Sequence, residues 1–192
     1  QWFGEGIGPL PSWEYASPRD FGGHGSHTAS TAGGNWNIQP TGDASSFSPI
    51  SGMAPYARLA IYKACFVITL GTSGSCNSLD TAAAIDQAVA DGVDTLNYSI
   101  SGADAPWSNS VSRAFLEAFG AGIFVSASAG NSGPGASTVA HTAPWNASVA
   151  ATTTDRTFAK TLSVLSPSPS CPPTPNPQHQ ASPLGVNMHL ES

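Results

Sequence analysis

The stretch FGGHGSHTASTAGG, residues 21–34, constrains this chain more than any other, because it sets His24 among Gly22, Gly23 and Gly25 where a helix of small side chains can begin. Glycines without a Cβ let another segment or a substrate approach the imidazole closely. The run from Ser26 to Ala32 suits a helix with so thin a side-chain layer that it can lie almost against a sheet at the centre of a fold. A histidine held in this way is a candidate general base. The plainer readings are a loop or capping histidine, or a metal pair formed by His24 and His27 three residues apart. No carboxylate or cysteine stands at ligand spacing around them and HExxH is absent, so no metal is expected.

GHGSHTAS resembles the histidine motif of the subtilases, the subtilisin-like serine proteases, whose first histidine is the general base and whose second is structural. The resemblance makes His24 the base and leaves His27 a structural role. It also implies an orienting aspartate on an upstream strand, in a D-T/S-G motif that this sequence does not contain. Asp20, four residues before His24, is a weak substitute by position alone.

Composition narrows the remaining classes. With 192 residues, 40% of them hydrophobic, the chain is long enough for one α/β domain with a core. Only 9% of residues are charged and the net charge is −6, so there is no basic patch for a nucleic acid. No apolar run reaches the length of about 18 residues that a membrane helix needs. The chain opens at Gln1 with neither initiator methionine nor leader and is read as a piece of a longer product.

Apolar periodicity orders the middle of the chain. Residues 57–66, ARLAIYKACF, alternate and are rich in aliphatic side chains, as a buried strand does. GMAPYARLAIYKAC before and within it resembles the family's G-x-A-P strand entry. Residues 79–90 repeat Leu79, Ala82, Ala83, Ile85, Ala88 and Val89 at helical spacing, and Asp91-Gly92 stops that helix. Residues 93–100 read as the next strand. Strand, helix, strand over this distance predicts parallel pairing. A second helix over 108–119 places Val111, Phe115, Leu116 and Phe119 on one side, and residues 123–127 and 143–152 read as further strands. The fold class expected is therefore α/β: a three-layer parallel sheet flanked by helices, subtilisin-like but incomplete.

Two segments carry site chemistry by resemblance. DGVDTLNYSISG resembles the subtilase segment that walls the primary specificity pocket, which assigns Ser99, Ile100, Ser101 and Gly102 to that wall and to pairing with an extended peptide as an added strand. GIFVSASAGNSGP resembles the oxyanion segment, so Asn131 donates its side-chain NH₂ to the oxygen that turns negative during acyl transfer. Read without the family, Asn131 between Gly130 and Gly133 is a turn residue. Gly71-Thr72-Ser73 imitates the family's nucleophile motif, but it precedes the asparagine and is followed by Gly-Ser-Cys, so Ser73 is rejected as nucleophile.

Cys65 and Cys76 enclose a loop of comfortable length for a disulfide, with two free thiols as the alternative; the resemblance to plant and bacterial subtilases favours the bridge and a secreted product. Cys171 is unpaired in this scheme. Asn97-Tyr98-Ser99 and Asn146-Ala147-Ser148 are glycosylation sequons, the first expected to be buried and unmodified. The organisation expected is a partial subtilase catalytic domain over residues 1–158, with the resemblance strongest over 17–158, and a proline-rich tail over 159–192. The resemblance implies a piece of a serine endopeptidase acting on extended peptides, with His and the oxyanion Asn present, triad Asp and Ser lacking, and no cofactor. A truncated noncatalytic relative that binds peptides or a protease partner is the alternative. A nucleotide-binding reading fails, since no G-x-G-x-x-G follows a strand.

Overall fold

The computed structural model describes residues 1, 3–72, 74–102 and 105–153. The chain divides into two units, Gln1–Ala151 and Thr152–Ser192, and every helix and strand named below belongs to the first. Ser73, Cys171, the expected boundary at 158 and the proline-rich stretch lie outside the described residues.

Among the described residues three α-helices, α1 (His24–Gly33), α2 (Ser78–Asp91) and α3 (Ser110–Gly120), and one short 3-10 helix, Gly42–Ala44, accompany five strands, β1 (Cys65–Phe66), β2 (Ser75–Cys76), β3 (Thr95–Tyr98), β4 (Phe124–Ser128) and β5 (Ala147–Val149). The last three form a parallel sheet in the order β3-β4-β5, with Leu96 opposite Val125 and Ala127 opposite Ser148. α3 supplies the crossover between β3 and β4, as parallel neighbours require. The expected α/β architecture is thus present, with α2 and α3 packed on each other and α3 on β4.

Local chemistry sets the helix limits. Asn77 caps α2 by accepting the Leu79 N–H, and Asn109 caps α3 by accepting the Ser112 N–H. Gly92, with φ 71°, ends α2 in the left-handed conformation that glycine adopts without cost. Ile85, Val111, Phe115, Val125 and Trp145 meet in one core. Burying each such side chain stabilises the fold by roughly 1.5–3 kcal/mol.

The buried faces differ from those the spacing predicts. In α2 the buried residues are Asp80, Thr81, Ala84, Ile85 and Ala88, while Leu79 is 67% exposed. The reason is the N-terminal segment: the Gly6 N–H donates to Asp80 Oδ1, and Asn77 Nδ2 donates to the Gly6 carbonyl, so chain covers the polar side of the first turn. In α3, Ala114 and Ala118 are buried beside Val111 and Phe115, whereas Leu116 is at the edge and Phe119 is 56% exposed. Small residues let the facing surfaces of α2 and α3 meet, which displaces the large ones.

The strand expected over 57–66 is corrected. Only Cys65–Phe66 is strand, and Leu59 and Ile61 are each 48% exposed. This segment runs beside the N-terminus instead of joining the parallel sheet: Phe3 N–H donates to the Lys63 carbonyl at 2.6 Å and Lys63 N–H to the Gln1 carbonyl at 2.9 Å. Among the described residues no strand pairs with the other edge of β3, and Asn97, expected to be buried, is exposed, its amide donating to Ser99 Oγ. The strand read over 143–152 shortens to Ala147–Val149, and Asn146 of the second sequon is half-buried with its amide donating to the His141 carbonyl.

Two further ties hold the front of the chain. Cys65 and Cys76 face each other across the antiparallel β1–β2 pair and are joined as a disulfide. Glu14 and Lys63 form a buried ion pair at 2.7 Å, with Glu14 also accepting the Val67 and Tyr15 N–H groups and Lys63 donating to the Arg19 carbonyl. Burial raises the Glu14 carboxyl, but the Lys63 ammonium and the two N–H donors outweigh it and hold the group below the usual range.

Candidate active site

His24 is the first residue of α1, and the residue before it, Gly23, has φ 86°. The helix start is organised by Asp20, whose carboxylate accepts the Gly23 N–H at 2.9 Å and both the N–H and the hydroxyl of Ser26 at 2.8 Å. Partial burial raises that carboxyl; these hydrogen bonds outweigh it and leave the group lowered. Asp20 is therefore committed to capping α1, and none of these bonds reaches His24. At the other end of α1 the G-M-A-P segment folds back: Gly52, Met53 and Ala54 donate to the carbonyls of Gly34, Thr31 and Ala32. Gly34 and Gly52 make this crossing possible, because a Cβ on Gly52 would strike the Gly34 backbone nitrogen and one on Gly34 the Ser30 carbonyl oxygen.

α1 departs from its expected place. None of its residues is buried and both His24 and His27 are exposed, since no strand among the described residues covers the thin side-chain layer. His27 gives its N–H to the Gly23 carbonyl, and its own carbonyl accepts the hydroxyls of Ser30 and Thr31, all bonds within the first turns of the helix.

Asn131 stands just beyond the C-terminal end of β4. Gly130, with φ 84°, turns the chain there, and its N–H donates to Ser128 Oγ at 3.0 Å. Asn131 is exposed, and its amide has no hydrogen-bond partner among the described residues. The end of a parallel strand is where α/β sheets place their ligands.

Beside it lies a cleft of about 290 Å³ lined by Ser101 and Gly102 on one side and by Gly130, Ser132 and the loop from Ser137 to Ala140 on the other. The structure thus brings the segment after β3 and the asparagine loop after β4 to one place. Ser99 and Ile100 are half-buried and are not among the lining residues, and neither is His24. The volume suits one side chain of a longer ligand better than a whole small molecule.

Sequence reasoning misses the loop 137–141, although its residues 137–140 supply half of the cleft lining. Its conformation depends on Ser137 and His141 in the left-handed region, φ 59° and 55°, which residue type does not announce.

A family model described as the subtilase family matches residues 10–183. The chain belongs to the subtilase family. Among curated relatives of this subtilase chain, subtilisin-like protease SBT1.5 of Arabidopsis thaliana is 46% identical over 148 residues, covering 76% of the chain and 18% of the relative. Subtilisin-like protease SBT3.5 of the same plant is 44% identical over 162 residues, covering 80% and 20%. The subtilase chain thus spans about a fifth of the length of these relatives. Among solved structures, Sphericase is 32% identical with a TM-score of 0.46, covering 64% of this chain and 36% of its own.

Proposed function

We propose that this chain is the part of a subtilase catalytic domain that carries the general base and the oxyanion donor of a secreted serine endopeptidase. In that reaction a serine hydroxyl attacks the peptide carbonyl and the His24 imidazole takes the hydroxyl proton, later giving it to the leaving amine. The carbonyl oxygen becomes negative in the tetrahedral intermediate, and Asn131 Nδ2 donates to it. An amide is needed here, since a carboxylate would repel the oxyanion. Residues 99–102 pair with the substrate backbone as an added strand, and the cleft lined by Ser101 and Gly102 receives a substrate side chain.

The observation that carries this reading is the cleft itself, in which the segment after β3 meets Gly130 and Ser132, the neighbours of Asn131 on either side. The sequence has no D-T/S-G aspartate and no family serine motif after the asparagine. Without the nucleophile no acyl-enzyme forms, so the 192-residue chain does not hydrolyse peptides by itself. A fluorophosphonate probe, which labels activated serines, tests both halves of the reading. It labels a longer chain that supplies the D-T/S-G and G-T-S-x-A motifs and leaves the 192-residue chain unlabelled. Labelling of the shorter chain, at Ser73 or elsewhere, would refute the assignment.

A further inference from the structure

His141 directly follows one wall of the cleft in the chain, and its side chain reaches the residue that precedes the other. Its chain neighbours Val139 and Ala140 line the cleft, and the Ala140 N–H donates to the Ala129 carbonyl at 2.9 Å, which ties that wall to the end of β4. Its ring turns the opposite way and reaches the segment after β3, where Nε2 lies 2.9 Å from the Ile100 carbonyl oxygen. A carbonyl only accepts, so Nε2 carries the proton. The residue is 7% exposed, with Tyr98 and Phe115 packed against the imidazole edge-on at 5.5 and 5.7 Å.

Three features show that this ring is fitted rather than incidental. The backbone accepts a φ of 55°, a conformation in which histidine is enriched among residues other than glycine. The His141 carbonyl is held by Asn146 Nδ2 at 2.8 Å. Gly102, one of the cleft residues, lies so close that a Cβ there would stand 2.8 Å from His141 Cε1.

We infer that His141 is a positioning residue that sets the separation of the two cleft walls, and through it the size of the substrate side chain that the cleft accepts. Ile100 is the point of attachment: losing the donor leaves its carbonyl without this partner and frees Ser101 and Gly102 to move relative to residues 137–140. The inference rests on the peptide-binding reading above, and its test separates the two.

Two fluorescein-labelled tetrapeptides, Ala-Ala-Pro-Phe and Ala-Ala-Pro-Ala, are titrated with the dilute 192-residue chain and followed by fluorescence anisotropy, and hydrogen exchange of the Ala140 amide is measured without peptide. His141→Phe keeps the ring and removes the donor. It is expected to change the ratio of the two affinities about fivefold, the effect of one lost hydrogen bond of ordinary strength, and to speed Ala140 exchange by a similar factor while β3–β4 amides keep their protection. His141→Gln, which restores an amide donor at comparable reach, returns both readouts toward the parent values. His141→Asn keeps a residue at home in the left-handed region but is too short to reach Ile100, so it behaves as the Phe variant does even if that variant folds poorly. An unchanged ratio together with unchanged Ala140 exchange in the Phe and Asn variants overturns the inference. If the parent chain binds neither peptide, the peptide-binding reading fails, and the Ala140 exchange rates alone decide whether His141 holds the walls.

Discussion

At the scale of single residues, the decisive feature is how fully each polar group is committed. Lys63 and Glu14 are buried against each other, with side chains 9% and 1% exposed. Removing one charge strands the other, so Lys63→Met is expected to cost about 3–5 kcal/mol in urea unfolding, and adding Glu14→Gln to recover part of it. Asp20 is exposed and its three acceptor bonds organise α1, so Asp20→Asn costs only about 1 kcal/mol. Glu14 and Asp20 both titrate below their usual range when folded. A depressed carboxylate binds its proton less readily folded than unfolded, so its contribution is complete above about pH 5 and is lost as pH falls through the lowered folded value. The thermal midpoint of the parent should therefore drop between about pH 5 and pH 3, and less steeply in the Glu14→Gln, Asp20→Asn double variant; equal slopes would contradict these assignments. Of the proposed site residues, His24 and Asn131 are legible through motifs. His141 is not, because its importance lies in a backbone angle and in neighbours distant in sequence, Ile100 being 41 residues away.

At the scale of elements, sequence period serves the helices better than the strands. α2 and α3 lie where 3.6-residue spacing places them, and Gly92 ends α2 as its position implies. Gly92→Ala forces a side chain into φ 71° and is expected to cost about 1 kcal/mol, measured as a shift in the urea midpoint. The alternation in residues 57–63 misleads because it reports only a capacity to pair. What a strand becomes depends on which edge is free, and here the N-terminal residues take the partner's place. The buried face of α2 is shifted for a similar reason: Gly6 docking on Asp80 is a contact between residues 74 apart, beyond the reach of any local pattern. The Cys65–Cys76 bridge closes a short loop across β1 and β2. Replacing both cysteines by serine should lower stability by about 2–3 kcal/mol; no change in the urea midpoint would mean that the loop is held without it.

At the scale of the whole molecule, the described residues leave apolar surface uncovered: Leu59 and Ile61 beside the N-terminal segment, Phe124 on β4, and the open edge of β3. Unpaired edges and exposed aliphatic groups promote association between copies. Sedimentation velocity of the 192-residue chain should show self-association that grows with concentration; a single monomer boundary throughout would contradict it. The same incompleteness bears on chemistry, because the proposed base and oxyanion donor sit on different elements, α1 and the loop after β4, and need a serine and an orienting aspartate that this sequence does not supply. The most direct test is a crystal structure of a longer chain carrying both missing motifs, bound to a peptide boronic acid, whose boron becomes tetrahedral like the reacting carbonyl. The account predicts one boronate oxygen within about 3 Å of Asn131 Nδ2, the His24 imidazole against the same group, and the peptide side chain in the cleft beside Ser101 and Gly102. A boronate that leaves His24 and Asn131 on opposite sides of the molecule would contradict it.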